Sequence, residues 1–176
     1  MSMTYQIDPA HSSANFSVKH MMIAKVHGGF QKMNGKFVYD PADLSKSSVE
    51  VAIDTGSIDT HESQRDTHLK SADFFDAEKY PALKFKSTRF EKGGSGMLVT
   101  GELTIHGVTR EVTLDLESPT SEVKDPWGNY RIGVSGGTKI KRKDFGLTWN
   151  QALETGGFLV GDDVTVTLDV QLVRPA

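Results

Sequence analysis

The sequence predicts an all-β fold, an antiparallel sheet of about eight strands closed into a barrel, and three observations carry that prediction. Apolar and polar residues alternate with period two through most of the chain. Glycine-bearing turns separate several of the alternating runs. Only one stretch combines a capping signal with the length of a helix. Eight is about the strand number at which a closed sheet either fills its own interior or encloses one small ligand.

In chain order, Ala14, Phe16 and Val18 alternate with Asn15, Ser17 and Lys19, the pattern of a half-buried strand. A short turn of helix is expected at His20-Met21-Met22-Ile23, followed by a strand within Phe30 to Tyr39. Val49, Val51 and Ile53 alternate with Glu50, Ala52 and Asp54. The helix is expected near residues 60 to 70, with Asp59 and Glu62 at capping-box spacing, and Pro81 marks the return to strand. Further strands are expected over Leu83 to Phe90, Met97 to Ile105, Val112 to Leu116 and Tyr130 to Arg142. Gly93-Gly94-Ser95-Gly96 and His106-Gly107 supply the turns between the middle ones. Val164, Val166, Leu168, Val170 and Leu172 against Thr165, Thr167, Asp169 and Gln171 form the clearest alternation of all.

Nothing divides the 176 residues, so residues 1–176 are read as one domain. At this length folding buries roughly 70% of the unfolded chain's surface without help from disulfides or metal. With no cysteine, thiolate zinc sites, iron–sulfur clusters and Cys nucleophiles are excluded. The 20 basic and 23 acidic residues are interspersed and give a net charge of -3, so no basic run is present to bind nucleic acid. No stretch approaches the ~20 apolar residues of a membrane-spanning helix. The start, Met1 to Asp8, lacks the apolar run of a secretory signal, which places the expectation in the cytoplasm.

Three near misses to catalytic signatures each fail where the chemistry needs them. His61-Glu62-Ser63-Gln64-Arg65 opens like a zinc-protease helix, but Arg65 stands in place of the second histidine. Gly93-Gly94-Ser95-Gly96-Met97 imitates a nucleophile elbow, yet it lies in a glycine hairpin. Gly133-Val134-Ser135-Gly136-Gly137-Thr138-Lys139 lacks Walker spacing and reads as a strand bend or bulge.

On a helix over 60 to 70, His61, Arg65 and His68 recur at i, i+4 and i+7 and share one face. That face is either solvated or a polar mouth in which the Arg65 fork meets an anionic or carbonyl headgroup, and Asp66 offers Arg65 a structural partner instead. The aromatic residues fall on expected strands or beside them, where they either fill a packed core or line a tunnel. Strand parity is the same in both cases.

The residues Ile7-Asp8-Pro9-Ala10-His11-Ser12, Phe16-Ser17-Val18-Lys19-His20 and Val26-His27-Gly28-Gly29-Phe30 open a series of ordered matches. They continue through Arg65-Asp66-Thr67-His68-Leu69, Asp73-Phe74-Phe75-Asp76, Tyr80-Pro81, Thr100 to Thr109, Arg142-Lys143-Asp144-Phe145-Gly146-Leu147 and Val160-Gly161-Asp162. In these the chain resembles the YceI-like family, from residue 5 to residue 173. The resemblance implies an eight-stranded antiparallel lipocalin-like β-barrel, often a homodimer. Its lumen would hold a polyisoprenoid, an isoprenoid quinone or a similar long-chain lipid, with no further cofactor and no metal. Many relatives are periplasmic, unlike the compartment expected here.

Under that reading the luminal candidates are Phe16, Val18, Phe30, Phe37, Phe74 and Phe85, with Ile132, Phe145, Leu147 and Trp149, and the headgroup candidates are Arg65, His68 and His61. The function expected is binding, storage or transport of the lipid, without catalysis. A small hydrolase or isomerase acting on a lipid headgroup is the alternative, resting on His11, His68 and Asp66, which no spacing brings together. A carbohydrate-binding or adhesion β-module is the third, and would display its aromatics outward.

Overall fold

Proline and aspartate punctuate the first strand, and the same device of an interrupted strand recurs around the whole sheet. The structure, a computed structural model, describes residues 1–154 and 156–176. β1 (Met3–Ile7) stops at Asp8-Pro9, because proline has no N–H to give to the ladder. Asp8 caps the short 3-10 turn Pro9–His11 by accepting from Ala10 N at 3.0 Å, and β2 (Ser13–His20) resumes the same direction. β3 (Ala24–Phe30) and β4 (Met33–Tyr39) are likewise one course broken at Gln31-Lys32. β5 (Ser48–Asp54) and β6 (Ile58–Asp59) are separated by a 3-10 turn at Thr55–Ser57. After the helix α1 (Ser63–Lys70) come β7 (Ala82–Gly93), β8 (Gly96–Ile105), β9 (Val108–Glu117), the two-residue β10 (Val123–Lys124), β11 (Tyr130–Lys141) and β12 (Val160–Arg174).

Hydrogen-bonded neighbours run β11-β9-β8-β7-β5-β4-β1-β12, and β12 pairs back to β11, so eight antiparallel strands close into a barrel. β12 carries two partners in succession on its other edge. Its C-terminal end meets β1 at Ile7↔Leu172, and its N-terminal part meets β2 from Val164↔Val18 to Asp169↔Ser13. β3 and β6 extend that second half, and β10 pairs with β11. The expected eight strands are thus eight courses, three of which are interrupted.

Two local expectations are corrected. His20 to Ile23 is no turn of helix. Ile23 N donates to His20 O at 3.2 Å, and Met21 and Met22 have φ of 54° and 61°, which makes a tight type I′ turn between β2 and β3. The pairing His20↔Ala24 leaves too few residues for anything longer. The helix begins at Ser63, not at 60, with Glu62 itself as its cap, accepting from Gln64 N and Arg65 N. Asp59 instead accepts from His61 N at 2.8 Å in a turn where His61 has φ 63°.

The Gly133–Lys139 run, expected as a strand bend or bulge, lies within β11 and pairs with β12 in unbroken register. Gly136 and Gly137 sit where β11 passes between β9 and β12, and a Cβ on either would run into a neighbouring carbonyl, of Asp115 or of Val166. Buried side chains form two groups. One contains Tyr5, Phe37, Phe90, Met97, Val99, Ile132 and Leu172, and the other contains Phe30, Ile58, Leu83, Ile105, Phe145 and Leu147.

Charge tightens the closure around β1, β11 and β12. Arg131 on β11 donates to Asp8 Oδ2 at 2.7 Å, to Gln171 Oε1 at 2.8 Å and to Asp125 Oδ2 at 2.8 Å. Asp8 and Asp125 are both held below the usual carboxylate range, chiefly by the hydrogen bond from Arg131, with His11 helping at Asp8. A depressed carboxylate contributes stability that is present above its unfolded pKa, ~3.9, and is lost as pH falls through its lower folded value. Wild-type stability should therefore decline as pH drops below about 4. Arg131→Met should show lower stability at neutral pH and a shallower acid decline, read from denaturant midpoints across an acid series. Parallel declines in the two proteins would show that the ion pairs contribute nothing to closure.

Candidate functional site

Period-two alternation delivers apolar side chains to the inside of every course, and they do not fill it. A cavity of about 250 Å³ lies within the barrel. One wall is β12, which contributes Val164, Val166, Leu168, Val170 and Leu172, the inward set expected from the sequence. Val49, Val51 and Ile53 of β5, Leu114 and Leu116 of β9, Phe37 of β4, and Leu83, Phe85 and Phe90 of β7 line the rest. Among the described residues, the polar ones around the cavity are Asn15, Lys84, Thr138 and Arg142.

Aromatic rings shape the space. Phe37 stacks on Tyr39 and Phe90 with centroids at 5.3 and 5.9 Å. Phe16 and Phe30 lie 5.8 Å apart, and Phe75 meets Phe30 edge-on at 5.8 Å. The Phe16 ring lies across its cross-strand partner Gly28, where a Cβ would stand 2.6 Å from the ring, so only glycine lets the ring lie there.

Arg142 is buried and adjoins the cavity, a feature that the sequence reading did not single out. Its guanidinium donates to Gly161 O at 2.8 Å, Leu147 O at 2.6 Å, Trp149 O at 2.9 Å and Val160 O at 3.2 Å. Burial lowers its pKa from the usual arginine value, and the group stays charged because arginine does not deprotonate in proteins. Its work is structural: it ties the segment after β11 to the start of β12. The far end of the barrel is plugged by Tyr5, whose hydroxyl donates to Glu122 Oε2 at 2.6 Å while Arg174 holds the same carboxylate through two bonds.

Of the ten luminal candidates, Phe16, Val18, Phe30, Phe37, Phe74, Phe85 and Leu147 line the cavity. Ile132, Phe145 and Trp149 do not. Ile132 pairs with Leu172 and is buried in the group that includes Tyr5. Phe145, 1% exposed, is packed in the second group. Trp149 packs outside the lumen against His68 and Phe74, at 4.7 and 5.3 Å. The sequence reading passed over Val51, Leu114, Leu168 and their neighbours as lining, although their strand parity marked them as inward, because it favoured aromatic residues.

The headgroup candidates do not share one face. His61 precedes the helix and is exposed. Arg65 folds back on Thr60, donating from Nε to Thr60 Oγ1 and from Nη2 to Thr60 O, both at 2.7 Å, and Asp66 accepts from Thr60 N at 2.9 Å. Arg65 and Asp66 thus meet through buried Thr60 and not as a direct pair. His68 Nε2 lies 3.0 Å from Asp73 Oδ2, behind Phe74. The alternative catalytic set is also separated by its partners: His11 bonds Asp8, His68 bonds Asp73, and Asp66 bonds Thr60.

Comparison with known proteins agrees with this architecture. The YceI-like domain matches residues 5–172. A UPF0312 protein of Vibrio cholerae is 44% identical over 146 residues, covering 81% of this chain and 77% of its own. One from Serratia proteamaculans is 43% identical, with coverage of 82% and 76%. Among solved structures, BcnA of Burkholderia cenocepacia superposes with a TM-score of 0.81 at 26% identity, covering 94% of this chain and 98% of its own. The Campylobacter jejuni YCEI protein gives a TM-score of 0.73 at 33% identity, covering 90% of both chains. A polyisoprenoid binding domain from Saccharophagus degradans shares the fold, with a TM-score of 0.69 at 17% identity and coverage of 97% and 98%. The match over residues 5–172, together with relatives above 40% identity across four fifths of the chain, places this protein in the YceI-like family.

Proposed function

We propose that the protein binds a long-chain apolar lipid, a polyisoprenoid, an isoprenoid quinone or a similar amphiphile, in the barrel lumen, and stores or carries it without chemistry. The observation that carries this reading is the cavity itself, enclosed by a closed sheet and lined almost wholly by aliphatic and aromatic side chains. Water there would find almost no hydrogen-bonding partners, so the space is dry or taken by apolar matter. Each buried CH₂ adds roughly 0.8 kcal/mol before ordering costs, so a few isoprene units suffice for useful affinity. The Saccharophagus domain named for polyisoprenoid binding has the same fold, which is consistent with this use of it. The acid–base candidates support binding over catalysis, because each is held by a different partner, His11 by Asp8, His68 by Asp73 and Asp66 by Thr60.

Native mass spectrometry of the purified protein should reveal a co-purified long-chain lipid, or uptake of added geranylgeraniol by delipidated protein. Neither outcome occurring would overturn the proposal. Phe37→Ala should cost about 3 kcal/mol in delipidated protein, the low end for a buried phenylalanine, because the side chain borders the cavity. Lipid should raise the wild-type denaturant midpoint by more than that of the variant. A full packing loss with no lipid effect on either protein would instead indicate a filled structural barrel.

Arg65→Ala should destabilise the fold by about 1 to 3 kcal/mol, since it leaves buried Thr60 groups short of a partner. Its affinities for a quinone-headed lipid and for the bare hydrocarbon should fall equally. A selective loss for the quinone would return Arg65 to the headgroup role.

A further inference from the structure

We propose that the β2–β3 turn, Met21-Met22-Ile23, together with Phe158, is a docking tip that seats the protein on a lipid bilayer with the adjoining end of the cavity facing the membrane. The inference rests in part on the lipid-binding reading above. Four large apolar side chains stand in solvent there: Met21 is 43% exposed, Met22 63%, Ile23 84% and Phe158 58%. They come from two segments tied together, since Met21 N donates to Leu159 O at 2.8 Å and Met22 Sδ lies against Gly157.

The backbone of the turn does not itself call for apolar side chains. The type I′ turn needs two successive residues with positive φ, a place that asparagine and glycine fill cheaply. Met21 and Met22 occupy it with φ of 54° and 61°. Placing unbranched apolar side chains there costs backbone energy, and much of Met22, 63% exposed, still stands in solvent. A partner that buries them supplies the missing return.

Position selects that partner. Val160 and Val18 line the cavity, and Val160 pairs with His20, the residue before Met21. The opposite end is plugged by Tyr5 and Glu122. The tip therefore projects from the end of the barrel to which the lumen extends, where a lipid leaving a membrane would enter. Charge and size agree. Lys19 and Lys25 are register partners just behind the tip, and both are exposed. Asp162 at the same end is 3.2 Å from Lys143, and Asp163 is the register partner of Lys141, so apolar insertion carries most of the contact and charge assists. A second copy of the chain fits less well. Two-fold pairing would set Lys19 and Lys25 against their own copies, and four side chains fall short of the ~800 Å² per partner that a stable dimer buries.

The test is vesicle flotation with phosphatidylcholine alone and with added phosphatidylglycerol. Wild type should float with both and more strongly with the anionic mixture. The triple variant Met22→Asn, Ile23→Ser, Phe158→Ser, whose first change suits positive φ, should lose about tenfold or more in vesicle affinity. Its unfolding midpoint and its equilibrium uptake of soluble geranylgeraniol should stay at wild-type values, while extraction of that lipid from vesicles should slow. Met22→Leu should keep vesicle binding. Absence of wild-type flotation with either vesicle, equal flotation of the triple variant, or concentration-dependent dimerisation lost in the triple variant without vesicle binding would each overturn docking. Vesicle binding by the tip in a protein that takes up no lipid would leave docking standing and reject the lumen reading alone.

Discussion

Everything else in this molecule depends on closure of the backbone hydrogen-bond ladder between β11 and β12. That ladder runs without a break from Tyr130↔Arg174 to Lys141↔Asp163. It joins the two strands that would otherwise form the edges of an open sheet, and so leaves the ring of eight with neither of them exposed for another chain to extend. The circumference is then set by strand number and stagger and not by the volume of the side chains inside. A barrel held open in this way need not collapse when its interior is underfilled.

The hollow follows from that constraint. Inward residues on β5, β9 and β12 are largely valine and leucine, too short to meet across the lumen, while the larger rings pack on one another, Phe37 with Phe90 and Phe16 with Phe30. Charged groups are kept from the interior or neutralised at its border. Arg142 is satisfied by four backbone carbonyls, and Arg131 bridges two carboxylates outside the lumen. What is left is a void whose walls offer dispersion contacts and few polar partners, conditions that select for hydrocarbon.

The two ends are not equivalent, and the difference gives the barrel a direction. At one end Tyr5, Glu122 and Arg174 form a hydrogen-bonded plug, with Arg174 also stacked over Tyr130 at 4.4 Å. At the other, Arg142 ties the segment leading into β12 beside an apolar turn.

The strand courses, their inward parity and the family were legible in the sequence because each is a local property: alternation on β12, turn glycines, and short ordered matches such as Asp73-Phe74-Phe75-Asp76. The lumen was legible only in part. Phe16, Phe37 and Leu147 were recognisable as inward, but a packed core and a tunnel require the same parity, and only the closed ring, with its fixed circumference, decides between them. Partnership was not legible at all. The i, i+4, i+7 spacing of His61, Arg65 and His68 assumed a helix that the structure begins only at Ser63, and the buried Thr60 takes two bonds from the Arg65 guanidinium. Nor could the sequence place Met22 beside Gly157, about 135 positions away, because that contact exists only once β2 lies against β12. Sequence by itself determined which face each residue presents; tertiary structure decided what that face meets, since non-local contacts follow from closure of the sheet and not from spacing along the chain.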